Sequence, residues 1–168
     1  MKKSAGVTLM ELLVSILIIA ILAALAVPSF LGLLAGNRLK GAANQLYTDF
    51  HFAKTESVRR NADVYFRMAS GSSWSYGIGS SSTCACSGSA CTNCDLKTVA
   101  STDYSGITAT NNFSGGNMSF SAIRAKPDAG GTVTFTNSQG TQLSVVLNLV
   151  GRPRICGPSG ATLGYPSC

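Results

Sequence analysis

Cysteine offers the richest chemistry in this chain of 168 residues, which contains six cysteines. Four of them share one short segment in the spacing C-x-C-x4-C-x2-C: Cys84, Cys86, Cys91 and Cys94. Four thiolates can hold a tetrahedral zinc ion, whereas in an oxidising compartment the same residues form two disulfides. The segment is rich in serine, glycine and threonine, as exported loops often are, so we predict two disulfides and no metal. Four cysteines allow three pairings, and the sequence does not choose among them.

The other two cysteines lie near the C-terminus. Cys156 and Cys168 would close a loop of 13 residues. In the chain-entropy model such a loop contributes about 3 kcal/mol to stability. Six cysteines in so small a protein are typical of a domain that works outside the cytoplasm.

Basic residues cluster in the C-terminal part of the chain. The segment Gly151-Arg152-Pro153-Arg154 follows the longest predicted strand, and in an extended chain its two arginines point to the same side, about 6.6 Å apart. That spacing suits two neighbouring phosphates, which guanidinium groups bind well. Arg124 and Lys126 add charge, against Asp128 alone after residue 120. A polyanion or an acidic partner would fit this region, although a solvated basic face is the commoner explanation.

Glu11 lies at the edge of an apolar run in which residues 12–37 carry no charge. A lone carboxylate at mid-bilayer costs about 2.5 to 3.5 kcal/mol and usually has a partner. Cleavage between Gly6 and Val7 would create an ammonium group four residues before Glu11. When many copies pack helix to helix, Glu11 of one subunit could then meet the amine of its neighbour.

The apolar run Leu12–Leu34 is long enough to span a membrane as a helix. Lys2 and Lys3 precede it, which predicts a cytoplasmic N-terminus and a C-terminal part outside. Three interpretations compete: a secretory signal cut after the triplet Ala24-Leu25-Ala26, a plain signal anchor, and a helix that is retained for assembly. Glu11 is required only by the third.

The residue types needed for catalysis are scarce. His51 is the only histidine, and the sequence shows neither a glycine-rich phosphate loop after a strand nor a nucleophile paired with a base. We therefore predict a protein that is not an enzyme and that uses no cofactor.

The elements that would position these residues are one long helix and a set of strands. An apolar stripe at three- and four-residue intervals extends the helix to about residue 60: Leu39, Ala42, Ala43, Leu46, Phe50 and Ala53. Strands are predicted at 64–68, 74–78, 118–123, 132–136 and 143–150. The predicted fold class is α+β, with the long N-terminal helix packed on a small antiparallel sheet. The predicted segments are a leader at 1–6, a transmembrane assembly helix at 7–36, an amphipathic helix at 37–62 and a β-rich head at 63–168.

The segment Gly6-Val7-Thr8-Leu9-Met10-Glu11-Leu12-Leu13 resembles the processing site of type IV pilins and type II secretion pseudopilins. The resemblance implies a prepilin peptidase that cuts after Gly6 and N-methylates Val7, and a helix that contacts other pilins. It also implies a single pass through the inner membrane with a periplasmic head, followed by entry into a pilus or pseudopilus. Val7 departs from the phenylalanine that such families usually carry at this position.

Residues 45–61, Val64 and Gly151-Arg152 resemble the minor-pilin group called GspH/FimT, and the loop closed by Cys156 and Cys168 resembles the C-terminal disulfide loop of pilins. The Gly-Arg-x-Arg segment is similar to the FimT signature, which implies capture of double-stranded DNA for natural transformation. Arg152 and Arg154 would then grip the backbone with help from Arg124 and Lys126. Contact with an acidic neighbour in the filament, a type II secretion pseudopilin and a secreted adhesive module remain as alternatives.

Overall fold

The computed structural model describes residues 8–168, and for residues 25–29 it describes the backbone alone. One α-helix, α1, runs over Leu9–Arg60. The chain divides into two compact units, Met1–Leu34 and Ala35–Cys168, and we call the second the C-terminal unit. Within the described part of the chain, we found no helix with both the length and the apolar character needed to cross a membrane.

Both ends of α1 have recognisable caps. At the start, the Thr8 hydroxyl accepts a 3.2 Å hydrogen bond from the Glu11 amide, which is the N-cap interaction expected of threonine. At the end, Asn61 adopts a φ of 49° and its amide bonds to the Val58 carbonyl. Asparagine tolerates this left-handed conformation, so α1 ends at Arg60, where the apolar stripe predicted its end.

The second half of α1 buries the predicted apolar stripe. All six members of the stripe are at most 1% exposed: Leu39, Ala42, Ala43, Leu46, Phe50 and Ala53. They pack against side chains from the strands that follow, as the contact of the Phe50 ring with Phe66 at 5.1 Å between centroids illustrates. The prediction of a helix packed on antiparallel strands is confirmed.

Among residues 8–168, ten strands form two four-stranded antiparallel sheets and one small hairpin, where the sequence predicted a single sheet. The first sheet has the order β5-β2-β1-β7, and the second has the order β10-β9-β8-β6. The hairpin pairs β3 with β4. The strand bounds are β1 Val64–Ala69, β2 Ser75–Gly79, β3 Ala85–Ser87, β4 Ala90–Thr92, β5 Lys97–Ala100, β6 Ile107–Asn111, β7 Asn117–Phe120, β8 Gly131–Asn137, β9 Gln142–Leu147 and β10 Pro153–Cys156.

One core joins both sheets and the helix. The Trp74 ring meets the Phe135 ring of the second sheet edge to face at 5.3 Å, and its indole N–H donates to the Ile107 carbonyl at 2.9 Å. Every buried apolar side chain among the described residues lies at position 39 or later. The C-terminal unit therefore carries its own complete core and can fold without the first 34 residues.

Candidate functional site

A tight turn places the two arginines of the Gly-Arg-Pro-Arg segment. The Asn148 side-chain oxygen accepts hydrogen bonds from the amides of Val150 and Arg152, at 3.1 and 2.9 Å. Gly151 closes the turn by donating to the Asn148 carbonyl at 2.9 Å, with a φ of 75° that favours glycine. Strand β9 therefore ends at Leu147, three residues before its predicted end.

Strand β10 lies at an edge of the second sheet, as the proline at its start suggested. Arg152 and Arg154 are exposed, whereas Gly151 and Pro153 are buried, so the two arginines alternate with residues that face inward. A guanidinium nitrogen of Arg154 donates to the Cys168 carbonyl at 3.4 Å. Both arginines are thus exposed at an edge of the second sheet, and their projection from one side stays a prediction.

The turn that carries Arg124 and Lys126 packs against Gly151. This turn is closed by backbone hydrogen bonds from Ser121 to Lys126 and from Ala125 to Ser121. A side chain at Gly151 would lie 3.1 Å from the Pro127 ring and 3.5 Å from the Ala125 carbonyl. The structure therefore brings together the two basic segments, which are distant in sequence, and both Arg124 and Lys126 are exposed.

Lys54 of α1 reaches the same place, which sequence reasoning did not predict. Its ammonium group donates to the Gly151 carbonyl at 3.4 Å. The residues are 97 positions apart. Since Lys54 has the ordinary appearance of a solvated helix residue, only the fold reveals that it borders the candidate site.

The nearby acidic residues do not pair with these cations. Asp128 accepts hydrogen bonds from the amide and hydroxyl of Ser119, both at 2.9 Å, and Asp63 accepts one from the Ala122 amide at 3.0 Å. The salt bridges recorded in the described region join Glu56 to Arg59 and Arg60 and Asp49 to Lys97. Among the described residues, five basic side chains near this edge form no salt bridge with an acidic side chain, and we call them the basic cluster: Lys54, Arg124, Lys126, Arg152 and Arg154.

Glu56 is held as a carboxylate by its two neighbours on α1. Hydrogen bonds from Arg59 and Arg60 lower the pKa of Glu56 from 4.5 to about 2. The contact with Arg59 also raises the pKa of that arginine. Both arginines of the last turn of α1 are thus paired with the one Glu56 carboxylate, whereas the cations around Gly151 are not paired with it.

The six cysteines form three disulfides: Cys84–Cys94, Cys86–Cys91 and Cys156–Cys168. The predicted presence of disulfides is confirmed, and the structure chooses the nested pairing for the first four cysteines. The sulfur atoms of Cys86, Cys91 and Cys94 all lie within 4.8 Å of one another. Because these sulfurs are bonded in disulfides, they do not offer the thiolates that zinc requires.

Two glycines allow the disulfide-linked segment 84–94, which contains the β3–β4 hairpin and which we call the disulfide hairpin, to cover strand β2. A side chain at Gly77 would lie 2.5 Å from the Cys94 sulfur, and one at Gly79 would lie 2.9 Å from the Cys84 Cβ. All five residues of β2 are consequently buried, since the core covers one face and the hairpin covers the other. The predicted strand at 74–78 contains Gly77 but not Gly79, and the sequence did not indicate that a disulfide-linked segment covers either one.

Of the predicted processing residues, Gly6 and Val7 lie outside the described residues. Glu11 lies in the first turn of α1 and is exposed. A carboxylate there is favoured by the helix dipole, and Thr8 and Glu11 have the spacing of a capping box. Helix capping is therefore a structural role for Glu11 that the sequence interpretation did not consider.

A buried polar cluster ties α1 to the first sheet, and sequence reasoning missed it. The Asp49 carboxylate accepts hydrogen bonds from Gln45 at 3.0 Å, from the Tyr76 phenol at 2.8 Å and from Lys97 at 2.6 Å. Burial, together with the Asp49 charge, raises the pKa of Tyr76 well above its ordinary value. The available signal in the sequence was Asp49 itself, an acidic residue among the positions of the apolar stripe.

Comparison with known proteins agrees with this architecture. Two crystal structures of the type IV minor pilin FimU from Pseudomonas aeruginosa (strain PAO1) share the fold. The first has a TM-score of 0.57 and 18% identity over 77% of this chain and 96% of that one. The second has a TM-score of 0.53 and 19% identity over 76% and 100%. No curated protein matches the sequence.

Two sequence families match the chain directly. The prokaryotic N-terminal methylation motif matches residues 1–27. The family described as type II transport protein GspH matches residues 42–151, which is more than half of the chain. The chain therefore belongs to the GspH family and carries the N-terminal methylation motif, so its recognition as a pilin-like protein of the GspH/FimT group is confirmed.

Proposed function

We propose that this chain is a minor subunit of a type IV pilus, made as a precursor and incorporated into the filament or its priming complex. The observation that carries the proposal is the combination, in one chain, of an N-terminal methylation motif and a GspH-family domain. Likeness to the fold of the minor pilin FimU adds support. In this role the chain has no active site, and its work is done by contacts.

The N-terminal segment supplies the assembly contact in this proposal. Prepilin peptidase cuts after Gly6 and methylates Val7, and the uncharged run Leu12–Leu34 holds the subunit in the inner membrane until assembly. The new ammonium group of one subunit then pairs with Glu11 of its neighbour. This pair neutralises a carboxylate that would otherwise be costly among apolar helices.

Mass spectrometry of the mature protein tests the processing step. We expect an N-terminus at methylated Val7, whereas cleavage by ordinary signal peptidase would leave Val27 and favour a secreted module. A Glu11→Gln variant should still be cut after Gly6 but should fail to enter sheared pili. An uncut leader, or normal recruitment of Glu11→Gln, would contradict the proposal.

A type II secretion pseudopilin is the second candidate, because the matching family is described as a type II transport protein. The same processing and packing would serve that machine. Deletion of the gene separates the two: loss of surface pili with normal protein secretion supports the pilus, and the reverse result supports the pseudopilus.

We further propose that the basic edge contacts the backbone of double-stranded DNA. Arg152 and Arg154 are exposed at the edge strand, and the turn with Arg124 and Lys126 lies against Gly151. Guanidinium groups spaced for neighbouring phosphates would bind without reading sequence. Each lost phosphate contact should lower the slope of log affinity against log salt by about 0.9.

A gel shift of the C-terminal unit on duplex DNA at low salt tests this contact. Arg152→Ala/Arg154→Ala should weaken binding and reduce the salt slope by about 2. Arg38→Ala/Lys40→Ala removes the same charge near the start of the unit and should have little effect. If the wild type and the Arg152/Arg154 variant shift DNA alike, the DNA contact is wrong while the pilin assignment stands.

A further inference from the structure

Four large apolar side chains are exposed on the elements that meet at Gly151, and we call them the aliphatic patch. Ile123 is 91% exposed, Val150 63%, Leu149 62% and Val58 54%. Single exposed apolar residues are normal, but a group of them rimmed by polar residues marks an interaction surface. Neither the pilus proposal nor the DNA contact uses these four side chains.

The elements that carry the patch lie against one another. Gly151 directly follows Val150 and lies against the turn that contains Ile123, since a Cβ placed on Gly151 would be 3.5 Å from the Ala125 carbonyl of that turn. Gly151 also accepts the hydrogen bond from Lys54, and Val58 lies one helical turn beyond Lys54 on the same face of α1. Two loops and one helix turn therefore present the patch together.

The two loops are held open by their own hydrogen bonds. Asn148 fixes the turn that carries Leu149 and Val150, and the bonds between Ser121 and Lys126 and between Ala125 and Ser121 fix the turn that carries Ile123. The aliphatic side chains thus stand out from rigid turns. Their exposure is a property of the backbone and does not require a loose loop.

Cations surround the patch: Lys54, Arg124, Lys126 and Arg152. The nearby acidic residues Asp63 and Asp128 accept hydrogen bonds from backbone amides, as described above. A partner must therefore offer negative charge next to apolar material. Duplex DNA offers the charge alone, and binding to single-stranded bases relies on aromatic side chains, which the patch lacks.

We propose that the aliphatic patch and its cations bind a membrane surface that is rich in anionic lipid. Aliphatic side chains on protruding turns can enter the boundary between headgroups and acyl chains. The surrounding lysine and arginine side chains can pair with lipid phosphates at the depth of the headgroups. This surface lies within the C-terminal unit and gives that unit a membrane contact of its own, separate from the apolar run Leu12–Leu34.

Flotation of the C-terminal unit with vesicles tests the proposal. The probes are vesicles of phosphatidylglycerol mixed with phosphatidylcholine, and vesicles of phosphatidylcholine alone. We expect the unit to float with the anionic vesicles only. Ile123→Ser/Leu149→Ser/Val150→Ser and Arg124→Ala/Lys126→Ala should each reduce binding roughly tenfold or more, whereas the control Arg38→Ala/Lys40→Ala should float like the wild type.

Two results would overturn the proposal: a wild-type unit that stays with the lipid-free fractions, or a serine variant that floats normally. If the serine variant floats normally and the same substitutions in the full-length chain prevent its entry into pili, the patch is a protein interface. The near-ultraviolet circular dichroism of Trp74 monitors folding, and the single variant Ile123→Ser serves if the triple variant unfolds. The serine variant should shift DNA normally, so that failure here remains distinguishable from failure of the DNA contact.

Discussion

The Tyr76 phenol donates a 2.8 Å hydrogen bond to the Asp49 carboxylate and so connects strand β2 to helix α1. Asp49 is 1% exposed, and Lys97 from strand β5 supplies the countercharge at 2.6 Å. A buried carboxylate is tolerated only when it is paired and hydrogen-bonded, and this one has three donors. The arrangement fixes which part of the helix faces the first sheet.

Removal of the Asp49 carboxylate should destabilise the C-terminal unit. We expect Asp49→Ala to cost about 2–3 kcal/mol, because the buried Tyr76 phenol loses its partner and a cavity forms. Tyr76→Phe should cost about 1 kcal/mol, since Lys97 and Gln45 remain with the carboxylate. Urea unfolding measures both, and an Asp49→Ala variant as stable as Tyr76→Phe would contradict this account.

The Glu56 carboxylate should make stability depend on pH in the acid range. Its pKa falls from 4.5 to about 2 on folding, so its contribution is fully present above about pH 4.5 and is lost as the pH falls toward 2. Thermal unfolding of the wild type and of Glu56→Gln between these pH values checks this. The variant should show a flatter dependence on pH.

Asp95 provides a second test of the dependence of stability on acid pH. Hydrogen bonds from the Ser80 amide and hydroxyl lower the pKa of Asp95, so this residue contributes to the same acid loss. Asp95→Asn should therefore flatten the profile as well. Because Arg60 lowers the pKa of both carboxylates, the two effects should not simply add. An unchanged profile in both variants would contradict the two pKa shifts.

A side chain at Gly77 should force the disulfide hairpin away from strand β2. Its Cβ would lie 2.5 Å from the Cys94 sulfur, and the disulfide gives that sulfur little room to move. We expect Gly77→Ala to cost about 1–3 kcal/mol. Gly36→Ala is the matched control, since its Cβ would meet only Leu163 at 3.5 Å, and it should be neutral or raise stability by about 0.5–1 kcal/mol.

The three disulfides should contribute unequally to stability. The chain-entropy model gives about 3 kcal/mol for Cys156–Cys168 and about 2 kcal/mol for the shorter Cys86–Cys91 loop. Paired serine substitutions followed by chemical denaturation test this order. A larger loss for Cys86→Ser/Cys91→Ser would show that packing of the hairpin on β2, and not loop closure, dominates.

The sequence predicted local features well and long-range ones poorly. The stripe from Leu39 to Ala53 has helical periodicity, so its burial followed from pattern alone. The strand at Lys97–Ala100 has no such pattern in its own residues. Its formation depends on pairing with residues distant in the chain, so the sequence did not predict it. The predicted strand through Val150 was too long, since the side chain of Asn148 ends the ladder at Leu147.

The candidate site shows the same division. The sequence predicted that an extended chain would place Arg152 and Arg154 on the same side. In the structure both residues are exposed. The contact between Gly151, Lys54 and the turn at Ala125 joins segments far apart in the chain, and no local sequence pattern predicts such a contact. Disulfide pairing was undetermined for the same reason, because it depends on where the hairpin folds back.

The dependence of strand β2 on its covering hairpin has an evolutionary consequence. Glycine suits positions 77 and 79 only while the cysteine-rich segment lies over them. Without that cover, glycine would weaken the strand because it has no side chain to pack. Homologues that have lost this segment should therefore carry β-branched or polar side chains at both positions. The cysteine-rich segment and the two glycines should therefore occur together.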